Sequence, residues 1–74
     1  MTKDDLYYYI QVKKDLEFVY NGKTYSLTYG KENDGRDYIC FGLLYEGERF
    51  YSYGEFINEA KIDNHFFREM LDLF

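Results

Sequence analysis

The chain reads as one small α+β domain: an N-terminal helix, a four-stranded antiparallel meander and two short C-terminal helices packed on one sheet face. Three observations predict this. Asn21-Gly22 sits between alternating apolar residues, a second strand run from Tyr38 is closed by Glu46-Gly47, and apolar residues recur at helical spacing both before Leu16 and after Ser52. Seventy-four residues give a single domain, residues 1 to 74, of a size at which one core leaves only about 3–5 kcal/mol of net stability.

Residues 2 to 14 open with Thr2 and, three positions on, Asp5, an acidic variant of the capping box; Leu6, Tyr9, Ile10 and Lys13 follow at helical spacing. The competing reading is a strand through Leu6 to Val12, since Tyr, Ile and Val favour sheets, but strict alternation is missing and Asp4 and Asp5 suit a helix start. A helix is therefore expected.

From Leu16 to Leu27 the Asn21-Gly22 pair fits a type I′ turn, whose two central residues need positive φ. A two-residue loop fixes the register: Tyr20 opposite Lys23, Phe18 opposite Tyr25, Leu16 opposite Leu27. All six then share one face, leaving Glu17, Val19, Thr24 and Ser26 on the other. Gly30 to Asp37 is a loop by composition, turning at Asp34-Gly35.

Tyr38 to Tyr45 reads as an interior strand, with Ile39, Phe41 and Leu43 on one side and Tyr38, Cys40 and Leu44 on the other. Glu46-Gly47, taken as a two-residue loop into Glu48–Tyr53, sets Leu43 opposite Phe50, with Gly42 and Cys40 opposite Tyr51 and Tyr53. Ser52 and Glu55 form a capping box for a helix over Phe56, Ile57 and Ala60. Asp63 is expected to cap a last helix that carries Phe66, Phe67, Met70, Leu71 and Phe74 on one face.

Composition narrows the function. Net charge is −5, which argues against direct nucleic-acid binding through phosphate neutralisation. Residues 1 to 45 carry a net −1, whereas residues 46 to 74 hold seven acids against three bases. The one cysteine, Cys40, fits a reducing compartment. No N-terminal run has a signal-peptide pattern and no apolar stretch is long enough to span a bilayer, so a cytoplasmic protein without membrane contact is expected.

The leading helix, the core Phe18-x-Tyr20-x-Gly22-Lys23-x-Tyr25-Ser26 and the closing Ala60-Lys61-Ile62-Asp63 together resemble a loose group of small bacterial and mobile-element α+β proteins to which no activity is attached. In that group a Gly often follows the Asp; here Asn64 stands there, and Asn tolerates the same backbone conformations. The resemblance implies a fold and no chemistry.

No catalytic residue, cofactor or metal is expected. Cys40, His65 and Asp63 are the only set from which a nucleophile triad can be written, and Cys40 sits mid-strand among apolar neighbours, where a thiol behaves as a small hydrophobe. One His and one Cys make no zinc set. If Gly35 is taken as a calcium-loop glycine, the first and last ligand positions fall on Gly30 and Phe41.

The tyrosines remain. With ten Tyr and seven Phe, aromatics exceed what so small a core can hold, and Tyr38, Leu44, Tyr51 and Tyr53 are expected on the uncovered sheet face. They serve there either as an interface or, if a helix covers them, as core. The functional expectation is a non-enzymatic module that binds a protein partner, a second copy included. The alternative is an acidic inhibitor or DNA mimic acting through the carboxylates of the C-terminal helices.

Overall fold

The first helix begins where Thr2 caps it. In the computed structural model, which describes residues 1–44 and 46–74, Thr2 Oγ1 accepts from the Asp5 amide and Asp5 Oδ2 from the Thr2 amide, each at 3.0 Å. These bonds hold the Asp5 carboxyl below its usual pKa. The helix, α1 (Lys3–Gln11), buries Leu6 and Ile10 and stops three residues short of Lys14. Lys13 turns to φ 54° and the Lys14 amide donates to the Tyr9 carbonyl at 2.9 Å, a Schellman closure with lysine where glycine is usual.

The sheet is an antiparallel meander in the order β1-β2-β3-β4. Strands β1 (Leu16–Tyr20) and β2 (Lys23–Lys31) pair in the expected register, Leu16 with Leu27, Phe18 with Tyr25 and Tyr20 with Lys23. Asn21 and Gly22 carry φ 51° and 72°, as a type I′ turn requires. Strand β2 runs further than its composition suggests. Lys31 pairs with Asp37 at the start of β3 (Asp37–Leu43), and the turn between them closes through the Glu32 amide on the Arg36 carbonyl at 2.8 Å.

The third turn differs from expectation. Strand β4 (Glu48–Phe50) pairs Phe50 with Ile39, Arg49 with Cys40 and Glu48 with Phe41, a shift of four residues from the two-residue-loop register. The cause lies at β3's far end. The ladder with β2 runs on through Gly42, at φ 153°, and Leu43, and the Leu44 amide donates to the Thr24 carbonyl at 3.0 Å, so the chain follows β2 further before it turns back. Gly47 then sits against the Cys40 Sγ, where a Cβ would collide. An even shift preserves faces, so Phe50 stays inward. The expected strand end at Tyr45 lies outside the described residues.

Helix α2 (Tyr53–Glu59) starts at Ser52, whose Oγ accepts from the Glu55 amide at 3.0 Å. The expected final helix is absent from the described residues. Asp63 and Asn64 adopt φ 50° and 67° and form a tight turn between two short strands, β5 (Lys61–Ile62) and β6 (His65–Phe66); two 3-10 turns follow, Phe67–Glu69 and Leu71–Leu73. Asp and Asn suit a helix cap and a left-handed turn alike. The balance falls to the turn because it buries Ile62 beside Ala60 and lets the Phe67 amide donate to the Ala60 carbonyl at 2.9 Å.

The core is aromatic. Phe67 lies 4.6 Å from Phe41 and 5.2 Å from Phe18 between ring centroids, and Phe56 packs edge-on to Phe41 and Phe50 at 5.4 and 5.7 Å. Leu6, Leu27 and Ile62 complete its most buried layer. The Asn21 amide nitrogen donates to Asp63 Oδ2 at 3.3 Å, tying the tip of the first hairpin to the β5–β6 turn. No helix among the described residues is long and apolar enough to cross a membrane.

Candidate functional site, the second sheet face

Inward Phe18, Leu27, Phe41 and Phe50 send their strand neighbours to the opposite side of the sheet. Cross-strand pairing lines that side with Val19 opposite Thr24, Glu17 opposite Ser26, Ser26 opposite Gly42, Thr28 opposite Cys40, Gly30 opposite Tyr38 and Cys40 opposite Arg49. This face is more polar than composition suggests. Its centre is an open groove of about 490 Å³, lined by Ser26, Thr28, Cys40, Leu44, Gly47 and Arg49 among others.

At one end of the face lies an ordered stack. The Tyr38 ring lies across Gly30, in space that a side chain on residue 30 would fill. The Arg49 guanidinium sits 4.3 Å from the Tyr38 ring centre, and Arg49 Nη1 donates to Glu32 Oε1 at 2.7 Å. The Tyr51 hydroxyl donates to that same oxygen at 2.9 Å, while Arg36 stacks on the Tyr51 ring at 4.6 Å and its Nε donates to Asp34 Oδ2 at 2.9 Å. Two rings and two guanidiniums thus alternate around one carboxylate. The electrostatics follow: Arg49 and Tyr51 hold the Glu32 carboxyl below its usual range, and Glu32 in turn raises both Arg49 and Tyr51.

Of the four residues expected here, three share this face. Tyr38 is half-buried in the stack, whereas Tyr51 and Leu44 stay 40% and 37% exposed. Tyr53 is elsewhere. The four-residue shift ends the strand at Phe50, so Tyr53 becomes the first residue of α2, with its ring edge-on to Tyr7 at 4.9 Å. Desolvation there, with Asp4 adding, raises its pKa. Sequence reasoning passed over Glu32, Arg36 and Arg49. Arg49 had a signal, since an inward Phe50 sends its neighbour outward; Glu32 and Arg36, in a loop by composition, had none.

The triad residues are dispersed: Cys40 lies on β3, while Asp63 and His65 belong to the β5–β6 hairpin. No group of three His, Cys, Asp or Glu side chains placed to hold a metal ion occurs among the described residues. The face presents two tyrosine rings, two guanidiniums paired to carboxylates and an exposed leucine.

Fold and surface together define a small α+β domain with a structured aromatic–arginine face. No family model matches the chain, and neither a curated protein nor a solved structure does.

Proposed function

We propose that this chain is a non-enzymatic protein-interaction module of the cytoplasm, in which the helical elements cover one sheet face and the other binds a protein partner. One observation carries the reading. Tyr51 stands exposed in a stack with Tyr38, Arg49 and Glu32 that already fixes its side chains, and exposed Leu44 lines the same groove as Arg49. Tyr and Arg are the residues that dominate binding energy at interfaces, and pre-ordered side chains lose less freedom when a partner arrives. Val19, 67% exposed, extends the apolar area toward β1.

The acidic-mimic alternative needs carboxylates arrayed along helices. Here Glu55 and Glu59 sit on or beside a seven-residue helix, Asp63 lies in a hairpin turn, and Glu69 and Asp72 occupy separate 3-10 turns. That dispersal favours the sheet face.

The test uses the full chain carrying Leu44→Ser and Tyr51→Ser, bound to a matrix beside the wild type and exposed to lysate of the source cell. Loss of one partner by the double variant, with an unchanged circular dichroism spectrum, is the expected result. Equal recovery by both proteins removes the second face from the interface.

A further inference from the structure

The first hairpin leaves a free sheet edge. In a two-residue hairpin the residues flanking the turn exchange their backbone hydrogen bonds, so Tyr20, Phe18 and Leu16 direct their amides and carbonyls at β2. Glu17 and Val19 direct theirs the other way. The Leu44 amide on the Thr24 carbonyl confirms this phase one strand over. Among the described residues no strand pairs with β1 on that side. An open groove of about 530 Å³ runs along it, lined by Met1, Asp5, Tyr9, Leu16, Glu17, Phe18, Val19 and Phe74.

We propose that this edge takes a fifth strand: an extended segment of another polypeptide with alternating basic and apolar residues. The chemistry of the groove selects that occupant. Its lining holds two side-chain carboxylates, Asp5 and Glu17, and no basic side chain; the Met1 ammonium at its end is already taken up by the Leu71 and Phe74 carbonyls. A strand bonded to Glu17 and Val19 places a side chain beside Phe18, against Leu16, Tyr9 and Phe74, where an apolar group fits. Its neighbours in sequence emerge on the Glu17 side, where a lysine or arginine fits. Self-pairing of β1 across a two-fold axis would bring Asp5 and Glu17 of both copies together in a chain of net charge −5, so charge opposes a second copy and favours a cationic strand. This edge borders the second sheet face and shares Glu17 with its groove, but it is read through the outward backbone of β1, which does not enter the proposed function.

The probe is a fluorescent, alternating Lys-Val peptide long enough to span β1, titrated into the full chain by anisotropy, with an alternating Glu-Val peptide and a backbone N-methylated Lys-Val peptide beside it. Saturable binding of the Lys-Val peptide is expected, with amide shifts centred on Glu17 and Val19 and affinity at least about tenfold weaker for the other two peptides. Glu17→Lys should weaken the Lys-Val peptide by a similar factor and improve Glu-Val. Val19→Pro removes one outward amide and should weaken binding further; if that variant fails to fold, the N-methylated peptide decides the same point. The proposal is overturned by equal binding of the N-methylated peptide, by shifts confined to other elements, by absence of saturable binding, or by self-association through β1 that the peptide does not displace.

Discussion

Phe66 and Phe67 are adjacent, and an amphipathic helix through Asp63 would bury both on one face. The structure separates them. Phe67 is 1% exposed, with ring contacts to Phe18, Phe41, Phe56 and Phe74, whereas Phe66 is half-buried and flanked by the cations of Arg68 at 4.4 Å and Lys61 at 5.0 Å. Removing the Phe67 ring loses about 2–3 kcal/mol of transfer free energy and adds a cavity between sheet and turn, for a cost of about 4 kcal/mol. Removing the Phe66 ring forfeits exposed cation–π contacts and partial burial, about 1 kcal/mol. A domain of this size holds only about 3–5 kcal/mol in all. Phe67→Ala should therefore lower the melting temperature by roughly 15–30 °C or unfold the chain, and Phe66→Ala by about 4–8 °C. Thermal and urea unfolding followed by circular dichroism read both. Equal losses at the two positions would refute the hairpin and restore a helix.

Further outcomes follow from the same physical reasoning. Lys13→Gly relieves a left-handed lysine at the end of α1 and forfeits only an exposed ion pair with Asp37, so a net gain of about 0.5 kcal/mol is expected in urea unfolding; destabilisation would contradict it. Gly30→Ala drives the Tyr38 ring off its seat and away from Arg49. It should cost about 1–2 kcal/mol and alter the Tyr38 and Arg49 resonances, and unaltered resonances would show that the ring is not seated there. The Tyr29 phenol donates to the Lys14 carbonyl at 2.9 Å and is pushed up to about 12 by burial, with Asp15 adding. Because the folded value exceeds the usual 10.0, its contribution is whole below about pH 10 and lost as pH rises toward 12. Tyr29→Phe should flatten that alkaline slope of stability, and an unchanged slope would assign it to other phenols.

Local chemistry made the first hairpin legible to the residue, because Asn-Gly admits one turn type and the alternation of Leu16, Phe18 and Tyr20 admits one register. Thr2 and Asp5 likewise announced the start of α1. Its end was hidden, since no glycine marks the left-handed Lys13. The third turn slipped because Glu-Gly specifies a loop weakly, and what decides it is tertiary: Leu44 bonding back to β2 and Gly47 fitting against Cys40. The C-terminal segment misled for a deeper reason. The spacing of Phe66, Phe67, Met70, Leu71 and Phe74 satisfies a helix, yet Asp63-Asn64 is a turn pair whose left-handed conformations only the burial of Ile62 and Ala60 selects. The candidate face was half visible. Alternation through β3 located Tyr38 and Leu44, but the Glu32–Arg49–Tyr51 arrangement depends on a loop and a strand register that no short-range signal fixes.

The most direct test of the account is salt-challenged capture: wild type and the Leu44→Ser/Tyr51→Ser variant, bound side by side to a matrix, loaded with source-cell lysate and washed at low and high salt. An interface built on rings and an exposed leucine should keep its partner on the wild type at high salt and lose it from the variant at both. A partner released from the wild type by salt, and held equally by the variant at low salt, would contradict the account and assign binding to the dispersed carboxylates.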